Sequence, residues 1–203
     1  MRSIRHWNRR YVRARIQRAV RERLRPNEPW ITSAATYILN QLLRNTDVGV
    51  EWGSGRSTAW LAQRVAQLRT IENSPDWNDA VARMLASSAR QNVVQRLCTS
   101  QAVYESAAAD VADQSVDFAF VDGAFDRGRY ALEAVRITKA GGLIIVDDAH
   151  RYLPSSSHSP YARAKDSQPA SNEWAAFWAT AKHWRRIWTS DDLSDTLILF
   201  AQG

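Results

Sequence analysis

Cysteine is almost missing from this chain: its 203 residues include one, Cys98. A single cysteine excludes an internal disulfide framework, and a reducing, cytoplasmic setting is the expectation that follows. Cys98 itself reads as a small buried hydrophobe. Long apolar runs are also missing, and no stretch approaches the ~20 residues that a membrane-spanning helix needs. There is no internal repeat. Acidic residues are nearly absent from the first 25 positions, where ten arginines face the single Glu22. That segment carries a charge of +9 within a total of +6, so the remainder sums to −3. No run of basic residues lines the body. Tryptophan, by contrast, is plentiful at nine, and the length suits one domain with a substantial core.

The arginine-rich start has helical spacing. Ile4, Trp7, Tyr11, Ala14 and Arg18 recur by threes and fours, with Val20 and Leu24 continuing a partly apolar face. Three readings of this amphipathic basic helix stay open: a helix docked on the body with solvated arginines, an arm for an anionic partner (nucleic acid or membrane surface), or a targeting peptide. Scarce serine and the lack of a small-residue cleavage site weigh against the last. Arg25 to Trp30 contains two prolines that break the helix. The division expected is a basic arm over residues 1–28 and a second unit over 29–203. A second copy of the chain is an open partner.

The stretch that organises the rest is Val48 to Thr58. A short β-branched run ends in Glu51, the tight turn Trp52-Gly53-Ser54-Gly55 follows, and helical spacing resumes through Leu61, Val65 and Leu68. Strand, glycine turn and helix together form a unit that binds nucleotide-like cofactors, because glycine lets the backbone approach a ligand closely. Glu72 ends the next apolar run, 21 residues after Glu51. A carboxylate there suits ribose, accepting hydrogen bonds from both hydroxyls at once. A dinucleotide fingerprint would place a third glycine where Thr58 stands. Its absence argues for a cofactor without a pyrophosphate and against an NAD-dependent oxidoreductase, which remains an alternative.

Further along, Asn73-Ser74-Pro75-Asp76 reads as a helix start, with Ser74 as cap, and the helix runs to about Arg90. Val93 to Cys98 reads as a strand, and so does the acid-framed run Asp117 to Asp122. Arg127 to Lys139 reads as a helix ended by Gly141-Gly142, with Leu143 to Val146 the next strand. His150 to Ser171 is a long Ser- and Pro-rich loop, either a lid or disordered. Asn172 to Lys182 returns to helix, and two strands close the chain. The alternation predicts an α/β fold with a doubly wound sheet, whose ligands bind beyond the carboxyl ends of the strands.

Glu51 to Thr58 resembles the first motif of class I S-adenosylmethionine-dependent methyltransferases. Val116 to Gly123 and Gly141 to Asp148 resemble their later motifs, most like the small catechol and caffeoyl-CoA type O-methyltransferases (methyltransferase family 24-like). The resemblance covers roughly Pro29 to the C-terminus. It implies a Rossmann-like, mostly parallel seven-stranded sheet with an antiparallel C-terminal strand, and S-adenosylmethionine as cofactor. It makes Glu51, Trp52, Gly53, Ser54, Gly55, Ser57, Thr58, Glu72, Asn73, Gln101 and Asp122 the candidate cofactor-binding residues. Gln101 is the adenine candidate, with a surface amide as the alternative.

Methyl transfer to oxygen needs a deprotonated acceptor, and two sources are candidates. Asp122, Asp147 and Asp148 end neighbouring strands and suit Mg²⁺, and the family's Asp, Asp and Asn ligands fall on these positions, with Asp148 in place of the Asn. Otherwise Asp122 serves the methionine amine and the other two make loop hydrogen bonds. His150, just past the strand end, is a candidate general base, or a solvated loop histidine. The catalytic candidates are thus His150, Asp122 and Asp147. The expected activity is O-methylation of a small-molecule hydroxyl, with an RNA-binding or RNA-modifying role for the arm as the alternative. Trp30 covers the cofactor or substrate, or is a core or interface tryptophan.

Overall fold

The computed structural model describes residues 8–88 and 90–202, so the expectations placed on Ile4 and Trp7 lie outside the described residues. Helices α1 (Arg9–Leu24) and α2 (Ser33–Leu42) precede strand β1 (Val48–Trp52). There follow α3 (Arg56–Ala62), β2 (Gln67–Glu72), α4 (Pro75–Ser87), β3 (Val93–Leu97), α5 (Gln101–Glu105) and β4 (Val116–Val121). The chain then runs through α6 (Arg127–Ile137), β5 (Thr138–Asp147), α7 (Asn172–Ala181), β6 (Arg186–Ser190) and β7 (Asp195–Phe200).

The seven strands form one sheet in the order β3-β2-β1-β4-β5-β7-β6. The first five in that order run parallel, while β7 is antiparallel to both β5 and β6. Side chains alternate across a strand, so each apolar run feeds two cores at once. Phe118, Phe120, Leu143 and Ile145 face Leu39 of α2 and Leu61 of α3. Ala119, Val121, Ile144 and Val146 face Tyr130 and Ala134 of α6 and Trp174 and Phe177 of α7. The strand order reverses between β1 and β4, which puts a ligand crevice at the carboxyl ends of those two strands.

The cap expected from local chemistry forms as read: Ser74 accepts from the Trp77 amide, with Pro75 in the first turn. Ser171 caps α7 in the same way. Several helix boundaries differ. Helix α3 stops at Ala62, and Leu68, read in its spacing, belongs to β2. Helix α4 stops at Ser87. Helix α6 ends at Ile137, and Thr138 passes directly into β5, so Gly141-Gly142 lies inside the strand. The register slips there, between the partners of Val116 and Phe118, and Gly141 takes a φ of +81°. The pair builds a bulge, and a Cβ on Gly142 would come within 2.7 Å of the Asp117 carbonyl oxygen.

Helix α1 is docked on the body. The Arg18 guanidinium donates to Asp191 at 2.7 Å and to the Ser194 hydroxyl at 2.5 Å. Arg21 reaches Glu28 (2.9 Å), the Ile31 carbonyl (2.8 Å) and Thr36 (2.9 Å). Ala14 is buried on the same side. Val20 and Leu24 do not continue that face, since six and ten residues beyond Ala14 are not whole turns, and both stay exposed.

The long loop is tied down. Ser157 and Ser159 both donate to Asp195, and the Ala170 amide bonds to the Tyr152 carbonyl. At the centre of the sheet Gly49 pairs with Phe118, whose ring covers it: a Cβ on Gly49 would fall 2.1 Å from the ring. Gly49→Ala is therefore expected to cost about 1–3 kcal/mol of stability by overpacking. Urea denaturation measures this, and an unchanged midpoint would show that Phe118 gives way freely.

Candidate functional site

The turn after β1 is built by close approach. Gly53 has a φ of +94°, and a Cβ there would meet the Asp122 carbonyl oxygen at 2.6 Å. Its amide donates to the Ile71 carbonyl at 2.8 Å, threading the turn between β2 and β4. Glu72 fixes the other side. One carboxylate oxygen accepts from the Ser54 amide (2.9 Å), the other from the amides of Asn73 (2.9 Å) and Ser74 (2.8 Å). A carboxylate offers about four acceptor sites, so Glu72 keeps one for a ligand hydroxyl, not the two expected. The indole N–H of Trp77 donates to the Ser54 carbonyl.

Glu51 lies under this turn, fully buried. Its Oε2 accepts from the hydroxyls of Thr58 (2.5 Å) and Thr70 (2.8 Å), while Oε1 has no partner. Thr70 spends its proton on Glu51, so the Ser54 hydroxyl donates to Thr70 at 2.8 Å. Burial pushes the Glu51 carboxyl up to about 7, with the charge of Asp122 adding to it. Trp52 is fully buried and stacks on Tyr130 at 5.9 Å. Glu51, Trp52 and Thr58 thus support the turn from below and do not line the crevice.

At the neighbouring strand ends the acids meet an arginine. Arg127, in the first turn of α6, pairs with Asp122 at 2.9 Å. It also donates to the carbonyls of Gly123 (2.8 Å) and Asp147 (3.2 Å). Burial, opposed by Arg127, leaves Asp122 above the ordinary carboxylate range, with Asp148 adding repulsion. Asp147 is also raised, by burial and then by Asp122 and Asp148, and it accepts from the Thr196 hydroxyl at 3.0 Å. Asp148 sits in the left-handed region at φ 55° and pairs with Arg151 at 3.3 Å. Among the described residues no group of three His, Cys, Asp or Glu side chains is arranged to hold a metal ion.

Two expectations are corrected here. His150 is fully buried, not loop-exposed: Nδ1 accepts from the Asp195 amide (3.2 Å) and Nε2 faces the Pro160 carbonyl (3.1 Å). Burial lowers its pKa. With both ring nitrogens committed, it pins the long loop to β7 and is not placed as a base. Gln101 opens α5, and its amide bonds to Glu105 at 2.6 Å, away from the crevice.

What lines the crevice is a cavity of about 350 Å³. Gly53, Ser54, Gly55, Ser57, Glu72, Asn73 and Asp122 contribute to it, as expected. So do Trp30, Arg56, Trp77 and Arg127, of which only Trp30 carried a signal in the sequence. Trp30 stacks on Trp77 at 6.1 Å, and the Arg56 guanidinium lies 4.8 Å over the Trp30 ring. Nη1 of Arg56 is buried without a partner, alone among the lining side chains. A larger hollow of about 910 Å³ lies at the opposite, amino end of the strands, beside Val48, Gln67 and Val116. The carboxyl-end rule selects the smaller one.

Residues 50–149 match the family model described as a methyltransferase domain. No curated protein matches the chain by sequence. Among solved structures, the fold is similar to the O-methyltransferase TomG from Streptomyces achromogenes, involved in tomaymycin synthesis and in complex with S-adenosylmethionine. That pair is 19% identical with a TM-score of 0.61, covering 96% of this chain and 90% of the other. An rRNA methylase from Streptococcus thermophilus is 13% identical, with a TM-score of 0.57 and 84% and 95% covered. The tRNA (m1A58) methyltransferase TrmI from Aquifex aeolicus is 14% identical, with a TM-score of 0.53 and 84% and 68% covered. At these identities the likeness is one of fold.

The buried Glu51 makes stability pH-dependent. Its folded pKa lies above its unfolded value, so the native state holds the extra proton between about 4.5 and 7. Stability therefore falls as pH rises through that window. Asp122 and Asp147 act in the same sense, so Glu51→Gln should flatten the slope without abolishing it. The share removed is on the order of 3 kcal/mol, read from urea midpoints across the window. Parallel curves for the two proteins would contradict the assignment.

Proposed function

We propose, for a protein that is an S-adenosylmethionine-dependent methyltransferase by its domain and its fold, that it methylates an oxygen of a small-molecule acceptor. The observation that carries this reading is Arg127, set between Asp122 and the Asp147 carbonyl where the crevice opens. Residues 29–203 form the catalytic domain in this reading, with residues 1–28 an arm upon it.

The lining suits the cofactor. Glu72 offers its remaining acceptor site to a ribose hydroxyl, beside Asn73. The two ends of an amino acid find opposite charges: the unpartnered Nη1 of Arg56 for the carboxylate, and Asp122 for the ammonium. Gly53 leaves the space that a Cβ would fill. When bound, the cofactor would supply a methyl group on a sulfonium to the acceptor oxygen, the O–C bond forming in line as the C–S bond breaks and S-adenosylhomocysteine leaves as a neutral thioether.

Mg²⁺ does not fit the rim as built, because among the described residues no three acidic side chains converge there, and Arg127 occupies one oxygen of Asp122 and the carbonyl at the end of β5. His150 is committed to the loop, so it takes no proton from the acceptor. Arg127 has five N–H groups, three of them engaged. The other two can hold the acceptor oxygen as its proton leaves to solvent, lowering the cost of the developing charge. Trp30, half-exposed and stacked on Trp77, gives a flat apolar wall against which the acceptor is positioned. The methyltransferase domain displaces the oxidoreductase alternative. An RNA substrate draws support from α1 alone, since the rest of the chain carries −3.

Calorimetry with S-adenosylhomocysteine should show binding, and Glu72→Ala should lose about 1.5–3 kcal/mol of it. Arg56→Gln should weaken S-adenosylhomocysteine and leave 5′-methylthioadenosine, which has no carboxylate, unaffected. NAD binding without S-adenosylhomocysteine binding would sink the proposal. Transfer should persist in chelator, and Arg127→Ala should lower kcat about 100-fold while keeping cofactor affinity. Activity restored by Mg²⁺ alone would return the rim to a metal.

A further inference from the structure

Arg18 and Arg21 hold one side of α1 against the body, and that fixes which side faces out. The outward side carries Val12, Ile16, Val20 and Leu24, exposed by 40, 59, 51 and 75%. Residues four apart on a helix are neighbours, so these four make one continuous stripe. Tyr37 of α2, 70% exposed, extends it across a groove of about 690 Å³ between the two helices. Around the stripe Arg9, Arg10, Arg13, Arg15 and Arg23 are all exposed, with Glu22 the one acid of the helix.

We propose that this face of α1 lies in the headgroup layer of an anionic membrane, with the stripe at the acyl boundary and the arginines on lipid phosphates. Independent of the methyl-transfer reading, it explains both features together. Arginine bonds phosphate well, and its aliphatic stem lets the guanidinium reach headgroups while the helix sits lower. An amphipathic basic helix with an apolar strip is the form that binds in the plane of such a surface. RNA would explain the arginines and leave the exposed Val, Ile and Leu without a purpose. A second copy pairing through α1 would set two strongly basic helices side by side, where like charges repel. No helix among the described residues is long and apolar enough to cross a membrane, so the contact is peripheral.

Flotation of the full chain with vesicles tests it. Binding is expected to phosphatidylglycerol mixed with phosphatidylcholine, and not to phosphatidylcholine alone. Ile16→Ser with Val20→Ser should cut that partition by about tenfold. Arg13→Glu with Arg23→Glu should reduce it further, and added salt should weaken the wild type. A far-ultraviolet circular dichroism spectrum and a cooperative melting transition like the wild type's in every variant show that the body is folded whether or not S-adenosylhomocysteine binds, and keep this test separate from the cofactor reading. Three outcomes overturn the proposal. One is no partition onto anionic vesicles. Another is partition that RNA displaces and the serine pair leaves unchanged. The third is a dimer in sedimentation that the serine pair dissociates, without vesicle binding.

Discussion

Three backbone N–H groups, those of Ser54, Asn73 and Ser74, converge on the carboxylate of Glu72, and the crevice takes its shape from that convergence. Two of them belong to the loop after β2 and one to the turn after β1. A single side chain therefore ties together the two connections that flank the ligand space. Hydrogen bonds to a charged acceptor are the strong kind, and Glu72 itself is buried. The glycine turn cannot swing outward while they hold, and Gly53 is pressed from the other side by the Asp122 backbone.

Beneath the turn the requirement is different. Glu51 has hydroxyl donors and no countercharge, in a position closed to water. The threonines supply direction, while burial sets the cost of ionising it. The strand ends next door solve the same problem with a full positive charge, since Arg127 serves an acid and two carbonyls at once. One crevice thus has a buried acid without a countercharge under its glycine turn and an ion-paired acid beside Arg127 at the neighbouring strand ends. In the proposed methyl transfer, that asymmetry suits an acceptor whose charge changes on the Arg127 side.

Much of the fold was legible because its signals are local. Ser74-Pro75-Asp76 announces a helix start by its own chemistry, and the runs at β1, β4 and β5 announce strands by length and composition. The glycine turn, Glu72 and Asp122 were legible as residues at the strand ends, where the crevice lies, because their positions follow from the same signals. Depth was not. The sequence places Glu51 at a strand end but does not say which layer its side chain enters, so it looked like a ligand residue. His150 was misread because its environment is made by Asp195, distant in sequence, and by a loop that folds back over it. Gly141-Gly142 looked like a helix stop because glycine serves both there and in a bulge. Arg127 carried no signal in a chain so rich in arginine.

The bond from Arg21 to the Ile31 carbonyl joins two regions that the sequence keeps apart. Ile31, with Trp30 before it, lines the crevice, while Arg21 belongs to the helix at the surface. The first wall of the crevice is therefore hung from that helix, like a door from its frame. A shift of α1 that broke this bond would strip the Ile31 carbonyl of that donor at the edge of the crevice.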